Sequence, residues 1–260
     1  MLTSGQVAFF KTFGFLFLPR LFTGAEVAIM KREAGEIFAE DRESESLAED
    51  ETQDLVTFWE RKPYLSELLD DDRIQNIAAD LLGPNFVMHA TTGARRVGDT
   101  PWHADMVQED PLLGANITFY TEPLMKSTGC LSVIPGSHIA SSLDQFEPLR
   151  GVNRDSEFRP FGLLPSQIPC HACESMPGDV IVFNPKLLHA AFGSNAARHM
   201  HLVSFFANPT TEKEIASIRA LYEISRWGLH PAKSHVNSAR PRIRRMVSRL
   251  VELGFETSDY

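Results

Sequence analysis

His103, Asp105, His189 and Arg198 are the residues whose types and spacing are suited to chemistry. His103 and Asp105 belong to the triplet His103-Ala104-Asp105; His189 follows 84 positions after the aspartate and Arg198 nine positions later. Two imidazoles and one carboxylate are the ligand set that grips a reactive iron on one face and leaves the other coordination positions open. In an extended segment residues i and i+2 project to the same side, so His103 and Asp105 can reach one metal. Alone the pair says little, because a chain with nine histidines contains a chance His-x-Asp in roughly every second case. His189 follows the apolar run Val180-Ile181-Val182-Phe183, where a strand leaves the core. Taken singly, a histidine there is more often a hydrogen-bonded structural residue than a ligand. An arginine such as Arg198 pointing into a barrel is costly unless it meets an anion, and a carboxylate is its natural bidentate partner; the alternative is a turn residue.

Such a site must be held by a scaffold. The chain opens as helix, short strand, helix: Val7, Phe9 and Phe10 lead to Gly14, and Phe15-Leu16-Phe17-Leu18 reads as a buried strand closed by Pro19. Thr23 with Glu26 forms a capping box before a helix that presents Val27, Met30, Ala34 and Ile37 at helical spacing. Residues 40–54 hold eight acidic groups and are expected as a solvated, mobile loop, a candidate lid. Short helices follow at Tyr64–Leu69 and Arg73–Leu82, ended by Gly83-Pro84. From Phe86 short β runs predominate: Phe86–Thr92, Ala115–Thr121, Cys130–Ile134, Cys173–Met176, Val180–Asn184 and Met200–Ala207. Short strands with turn signals and no alternating helices point to a sandwich or barrel. Helical patterning returns at Glu212–Trp227 and Arg242–Leu253. The expectation is one domain over 1–260: a helical portion over 1–85, a β core over 86–210 and a helical tail over 211–260.

Composition narrows the function classes. With 260 residues, 43% hydrophobic and 23% charged, the chain can bury a substantial core. A formal charge of −9 argues against nucleic-acid binding, which needs a surplus of Lys and Arg. The cluster Arg240-Pro241-Arg242-Ile243-Arg244-Arg245 reads as the solvated face of an amphipathic terminal helix. Three cysteines, Cys130, Cys170 and Cys173, favour a reducing compartment, and Cys170-His171-Ala172-Cys173 lacks the second pair a structural zinc needs. No apolar run reaches the roughly 18–20 residues of a membrane span. The expected setting is a soluble cytoplasmic protein, monomeric or a homodimer.

Three stretches carry a family resemblance: Gly98-Asp99-Thr100-Pro101-Trp102-His103-Ala104-Asp105, then Gly129-Cys130-Leu131-Ser132-Val133-Ile134-Pro135-Gly136-Ser137-His138, then Pro177-Gly178-Asp179-Val180-Ile181-Val182-Phe183 running on to His189 and Arg198. In this order they resemble the phytanoyl-CoA dioxygenase family of iron(II)/2-oxoglutarate oxygenases, over about residues 1–210. The resemblance implies an all-β core with flanking helices, a double-stranded β-helix (jelly roll, cupin-like). It implies Fe(II) on His103, Asp105 and His189, 2-oxoglutarate as co-substrate with its distal carboxylate on Arg198, and dioxygen as oxidant. The reaction implied is oxidation of an unactivated C–H bond of a small molecule by hydroxylation, desaturation or ring closure, with release of succinate and CO2. Halogenating relatives replace the carboxylate ligand by a small residue; Asp105 therefore favours oxygenation.

Other candidates are read from the strands. Asn116, Thr118 and Tyr120 share a face; Thr118 is the candidate hydroxyl for the 2-oxoglutarate carboxylate near the metal, against plain packing in the sheet. Asn116 and Trp102 are candidate substrate contacts, with packing the alternative for Trp102. Adjacent strand residues face opposite ways, so at most one of Arg95 and Arg96 looks into the site, with Arg95 the candidate and an anionic substrate group its partner; the alternative is a solvated loop pair. His138 belongs by the resemblance to the supporting structure; His199 and His201 share a face, and their position beside Arg198 favours strand and surface roles over metal binding. Trp227, His230, Arg242 and Met246 suggest a lid or dimer contact in the tail. Two other function classes use the same barrel: a non-catalytic binding protein, and a metal-dependent isomerase or hydrolase that needs no dioxygen.

Overall fold

The computed structural model describes residues 1–45, 47–48, 51–139, 143–153, 156–193, 197–224 and 230–259. Helix α1 (Ser4–Phe13) starts at a capping box between Thr3 and Gln6 and ends at Gly14 in the left-handed region, φ 81°. A Cβ on Gly14 would lie 2.6 Å from His138 Nδ1 and 2.7 Å from Leu187, so both the turn and the close approach require glycine. Strand β1 (Phe15–Leu18) follows, then α2 (Gly24–Glu45), whose Thr23–Glu26 capping box is formed and whose Val27, Met30, Ala34 and Ile37 are buried.

The acidic stretch departs from its expected form. Helix α2 runs through Glu45 and strand β2 spans Gln53–Val56, while positions 46, 49 and 50 lie outside the described residues. Glu and Arg are strong helix formers, so a polar segment need not be a loop. The buried Gln53 amide donates to the Phe38 carbonyl (3.0 Å) and Asp41 (2.8 Å), tying the strand to the end of the helix.

Helices α3 (Pro63–Leu68) and α4 (Asp72–Leu82) lead into the barrel strands: β3 (Val87–Arg96), β4 (Thr100–His103), β5 (Gly114–Tyr120), β6 (Leu131–Val133), β7 (His171–Cys173), β8 (Val180–Phe183), β9 (His189–Ala191) and β10 (Arg198–Phe206). Helix α5 (Leu143–Phe146) lies in the β6–β7 connection, and α6 (Glu212–Ile224), α7 (Lys233–Val236) and α8 (Pro241–Glu252) close the chain. Trp227 lies outside the described residues. Two antiparallel sheets result, a six-stranded one in the order β1-β8-β5-β10-β3-β2 and a four-stranded one in the order β4-β9-β6-β7. This is the jelly roll, with helices flanking the larger sheet. Among the described residues, no helix is long and apolar enough to cross a membrane.

The main core lies between the helices and the outer face of the large sheet, where α2, α3 and α4 pack on Phe119, Val203 and Phe205. Helix α8 docks there too. Ile243, Met246, Val247 and Leu250 are buried, Arg242 pairs with Asp70 (2.7 Å), and Arg245 donates to Gln75 (2.8 Å) beneath the Phe86 ring. Arg245 of the basic cluster thus binds helix α4, while Arg242 pairs just ahead of that helix and stays part-exposed.

His201 is enclosed in this layer, stacked on Phe119 (centroids 4.7 Å, 5° between planes), with neither ring nitrogen hydrogen-bonded. Burial pulls its pKa down to about 3. The unfolded chain takes up this proton below about pH 6.5 and the folded chain does not, so stability falls with acidification by up to about 1.4 kcal/mol per pH unit between those values. His201→Phe is expected to flatten the slope of unfolding free energy against pH by about that amount between pH 6 and 4. Urea unfolding across that range measures it, and an unchanged slope would show that the ring is protonated in the fold.

Candidate metal centre

The metal-ligand candidates converge where the mouths of the two sheets meet. His103 ends β4 and His189 begins β9, and the two are Cα partners in the ladder of the small sheet. Their rings therefore point the same way, with centroids 4.1 Å apart. Asp105, two residues beyond His103, brings its Oδ1 to 3.6 Å from His103 Nε2 and 3.8 Å from His189 Nε2. One ligand atom from each of the three lies within 4.8 Å of the others.

Hydrogen bonding fixes what these atoms are. His103 Nδ1 lies 2.8 Å from the Pro101 carbonyl and His189 Nδ1 lies 2.9 Å from the Leu187 carbonyl. A carbonyl oxygen only accepts, so each Nδ1 carries a proton, and Nε2 is the atom that each ring can offer to a metal. Burial, reinforced by the nearby His103, lowers the His189 pKa to about 4 and keeps that ring neutral. Two imidazole nitrogens and a carboxylate oxygen thus face one another, an arrangement that suits a divalent cation.

The carboxylate arm is held from the other sheet. Asn116 on β5 donates from Nδ2 to Asp105 Oδ2 (2.8 Å), and Ser204 on β10 donates to Asn116 Oδ1 (2.8 Å). Asn116, expected as a substrate contact, borders the larger cavity and also orients the third candidate ligand, a role that depends on a register between distant strands.

Arg198 opens β10 with its side chain buried, donating to the Gly129 carbonyl (3.1 Å) and Thr100 Oγ1 (3.2 Å). No carboxylate among the described residues forms an ion pair with it. A cavity of about 130 Å³ joins Arg198 to His103, Asp105 and His189, with Thr118 and Tyr120 in its wall. Thr118 is placed as expected but bonded differently: its hydroxyl donates to the His201 carbonyl (2.8 Å), so that proton is not offered to a ligand carboxylate. Tyr120 brings a phenol to the same wall; burial pushes its pKa up, against the pull of Arg198.

A second cavity, of about 310 Å³, adjoins the first, with Arg96, Asp105, Met200 and Leu202 in both walls. Strand alternation settles the arginine pair against the expectation. Arg96 borders both cavities, whereas Arg95 faces the other way and donates to the Glu51 carbonyl (3.0 Å). Trp102 is likewise turned away, because the neighbouring His103 faces inward. It packs with Ile134, Leu149 and Leu188 and donates to the Pro165 carbonyl (3.2 Å). His138 Nε2 lies 3.1 Å from the Lys11 carbonyl, which ties the β6–β7 connection to α1.

A family model for phytanoyl-CoA dioxygenase (PhyH) matches residues 10–200. The chain belongs to the PhyH family. At the level of class, this PhyH protein is a non-haem iron, 2-oxoglutarate-dependent dioxygenase. It is similar to the ectoine dioxygenase of Sphingopyxis alaskensis, 25% identical over 223 residues, covering 74% of this chain and 71% of that protein. HygX from Streptomyces hygroscopicus, solved with nickel and 2-oxoglutarate bound, shares the PhyH fold at a TM-score of 0.62 and 18% identity, covering 82% of this chain and 90% of that one. SnoK, an alpha-ketoglutarate-dependent carbocyclase from nogalamycin biosynthesis, matches at a TM-score of 0.59 and 22% identity, covering 80% and 85%.

Proposed function

We propose that this PhyH protein oxidises an unactivated C–H bond of a small molecule, with Fe(II) on His103, Asp105 and His189 and the distal carboxylate of 2-oxoglutarate on Arg198. The reading rests above all on the two Nδ1–carbonyl bonds, which leave the Nε2 atoms of both imidazoles turned towards the Asp105 carboxylate. The nickel and 2-oxoglutarate held by HygX support the same cofactor set here. When bound, iron with 2-oxoglutarate and dioxygen supplies the power to attack the C–H bond and releases succinate and CO2. The protein's own residues position the partners. Asn116 and Ser204 hold the carboxylate ligand, and Arg198 offers a fixed fork to the carboxylate at the far end of the smaller cavity. Thr118 and Tyr120 wall that cavity, and the larger one receives the substrate.

Calorimetry under anaerobic conditions should show 2-oxoglutarate binding once Mn(II) or Fe(II) is present. Admission of air to the Fe(II) form should then give succinate, slowly in the absence of substrate. Full turnover without iron overturns the reading. Metal-dependent turnover that persists without dioxygen would move the protein to the isomerase or hydrolase class.

A further inference from the structure

The larger cavity holds charged groups that the metal chemistry does not use. Arg96 and Arg198 are direct cross-strand partners on β3 and β10, and like charges in that relation repel. Asp54 on β2 answers one of them: its Oδ1 lies 2.8 Å from Arg96 Nη2. The guanidinium and the carboxylate both border the larger cavity, and Arg96 borders the cavity of the metal ligands as well. A positive and a negative group thus stand side by side next to the proposed metal centre, in the wall of a cavity that also carries the apolar side chains of Met106, Leu202, Phe206 and Leu221.

At the other end the wall carries an unusual histidine. Strand β3 slips by one residue against β10, since Ala90 pairs with Ser204 but Met88 with Phe205. The extra residue is His89. A bulge re-aims a side chain, and here His89 and Ala90 both border the cavity. The ring stands edge-on to Tyr222 (5.2 Å) and Phe206 (5.5 Å), with Nε2 buried and without a hydrogen-bond partner.

Charge balance narrows the occupant. A divalent ion and a doubly negative oxoacid are neutralised by Asp105 and Arg198 taken together, and the Arg96–Asp54 pair is itself neutral. A head with a single charge would meet only one member of the Arg96–Asp54 pair with its opposite. A molecule with both charges on one head would meet each with its opposite.

We propose that the substrate of this oxygenase is a small zwitterion whose carboxylate binds Arg96 and whose ammonium binds Asp54, its body crossing the apolar wall towards His89. The proposal rests on the oxygenase reading above. Its test is calorimetry on the full chain loaded with Mn(II) and 2-oxoglutarate, titrated with the proteinogenic L-amino acids, their N-acetyl derivatives (carboxylate only) and their methyl esters (ammonium only). At least one free amino acid is expected to bind roughly tenfold or more tightly than both of its blocked forms, the scale of one charge-assisted hydrogen bond. In Asp54→Asn the free amino acid and its N-acetyl form should become equal, and in Arg96→Gln the free amino acid and its methyl ester. A pair that served only to neutralise charge in the wall would not produce this crossed pattern. Thermal melts of both variants establish that they are folded. If the protein takes up Mn(II) and 2-oxoglutarate but no free amino acid outbinds its blocked forms, the zwitterion proposal is overturned and the oxygenase reading stands. If Mn(II) and 2-oxoglutarate do not bind, both fall.

Discussion

Replacing Asp105 with alanine is expected to cut iron-dependent succinate release about 1,000-fold or more, beyond the roughly 10–100-fold cost of losing an outer hydrogen-bonding partner. Asp105 Oδ1 is the one anionic atom among the three that converge, 3.6 and 3.8 Å from the two imidazole nitrogens. Without it the ion would be held by two neutral rings alone, with its charge uncompensated by protein. The fold should survive, because the carboxylate is part-exposed and its hydrogen-bonding partner Asn116 retains Ser204. Thermal melts with and without metal separate the two effects. Saturation at about 100 times the dissociation constant stabilises a folded protein by roughly 2.7 kcal/mol, and this increment should vanish in Asp105→Ala while the metal-free melting temperature holds. Wild-type succinate release from the variant would show that the carboxylate is not a ligand.

The second large effect is expected at Arg198, where affinity and stability should move in opposite directions. The guanidinium is buried and its bonds run to a carbonyl and a hydroxyl, neither of which neutralises it. Burial accordingly pulls its pKa down. Arg198→Met fills much of the same volume without the charge, and such replacements are often neutral or stabilising by about 1–4 kcal/mol. The metal-free variant is therefore expected to melt no lower than the parent. Its KM for 2-oxoglutarate should rise about 100-fold or more, because truncating one side of a buried charge pair costs roughly 2–5 kcal/mol. A variant that melts much lower and keeps its KM would make Arg198 a structural residue.

Much of the architecture was legible because each element declares itself locally. The Thr23–Glu26 cap, the apolar positions of α2 and the Gly83 stop of α4 depend on residues three or four apart. The convergence of His103, Asp105, His189 and Arg198 could be named because motif order stands in for a fold. What escaped reading depends on distant registers or single-residue alternation. Strands β4 and β9, four and three residues long, are too short for a pattern of their own, and their pairing places His103 opposite His189. Arg95 and Arg96 differ by one step along β3, which sends one to each face. His89 gave no signal as a cavity residue, since the bulge that turns it inward is a mismatch between two strands.

The two kinds of support around the ligands have unequal futures under mutation. Both imidazoles are oriented by main-chain carbonyls two residues back along the chain, atoms that survive any change of side chain at Pro101 or Leu187 that preserves the local backbone. The carboxylate arm is oriented by the side chains of Asn116 and Ser204, which a single nucleotide change can remove. Sequence drift or directed evolution should therefore leave the histidine half of the site as it is and act on the Asp105–Asn116–Ser204 line. That line is the place to vary when the aim is to change which oxidation the barrel performs while keeping the barrel itself.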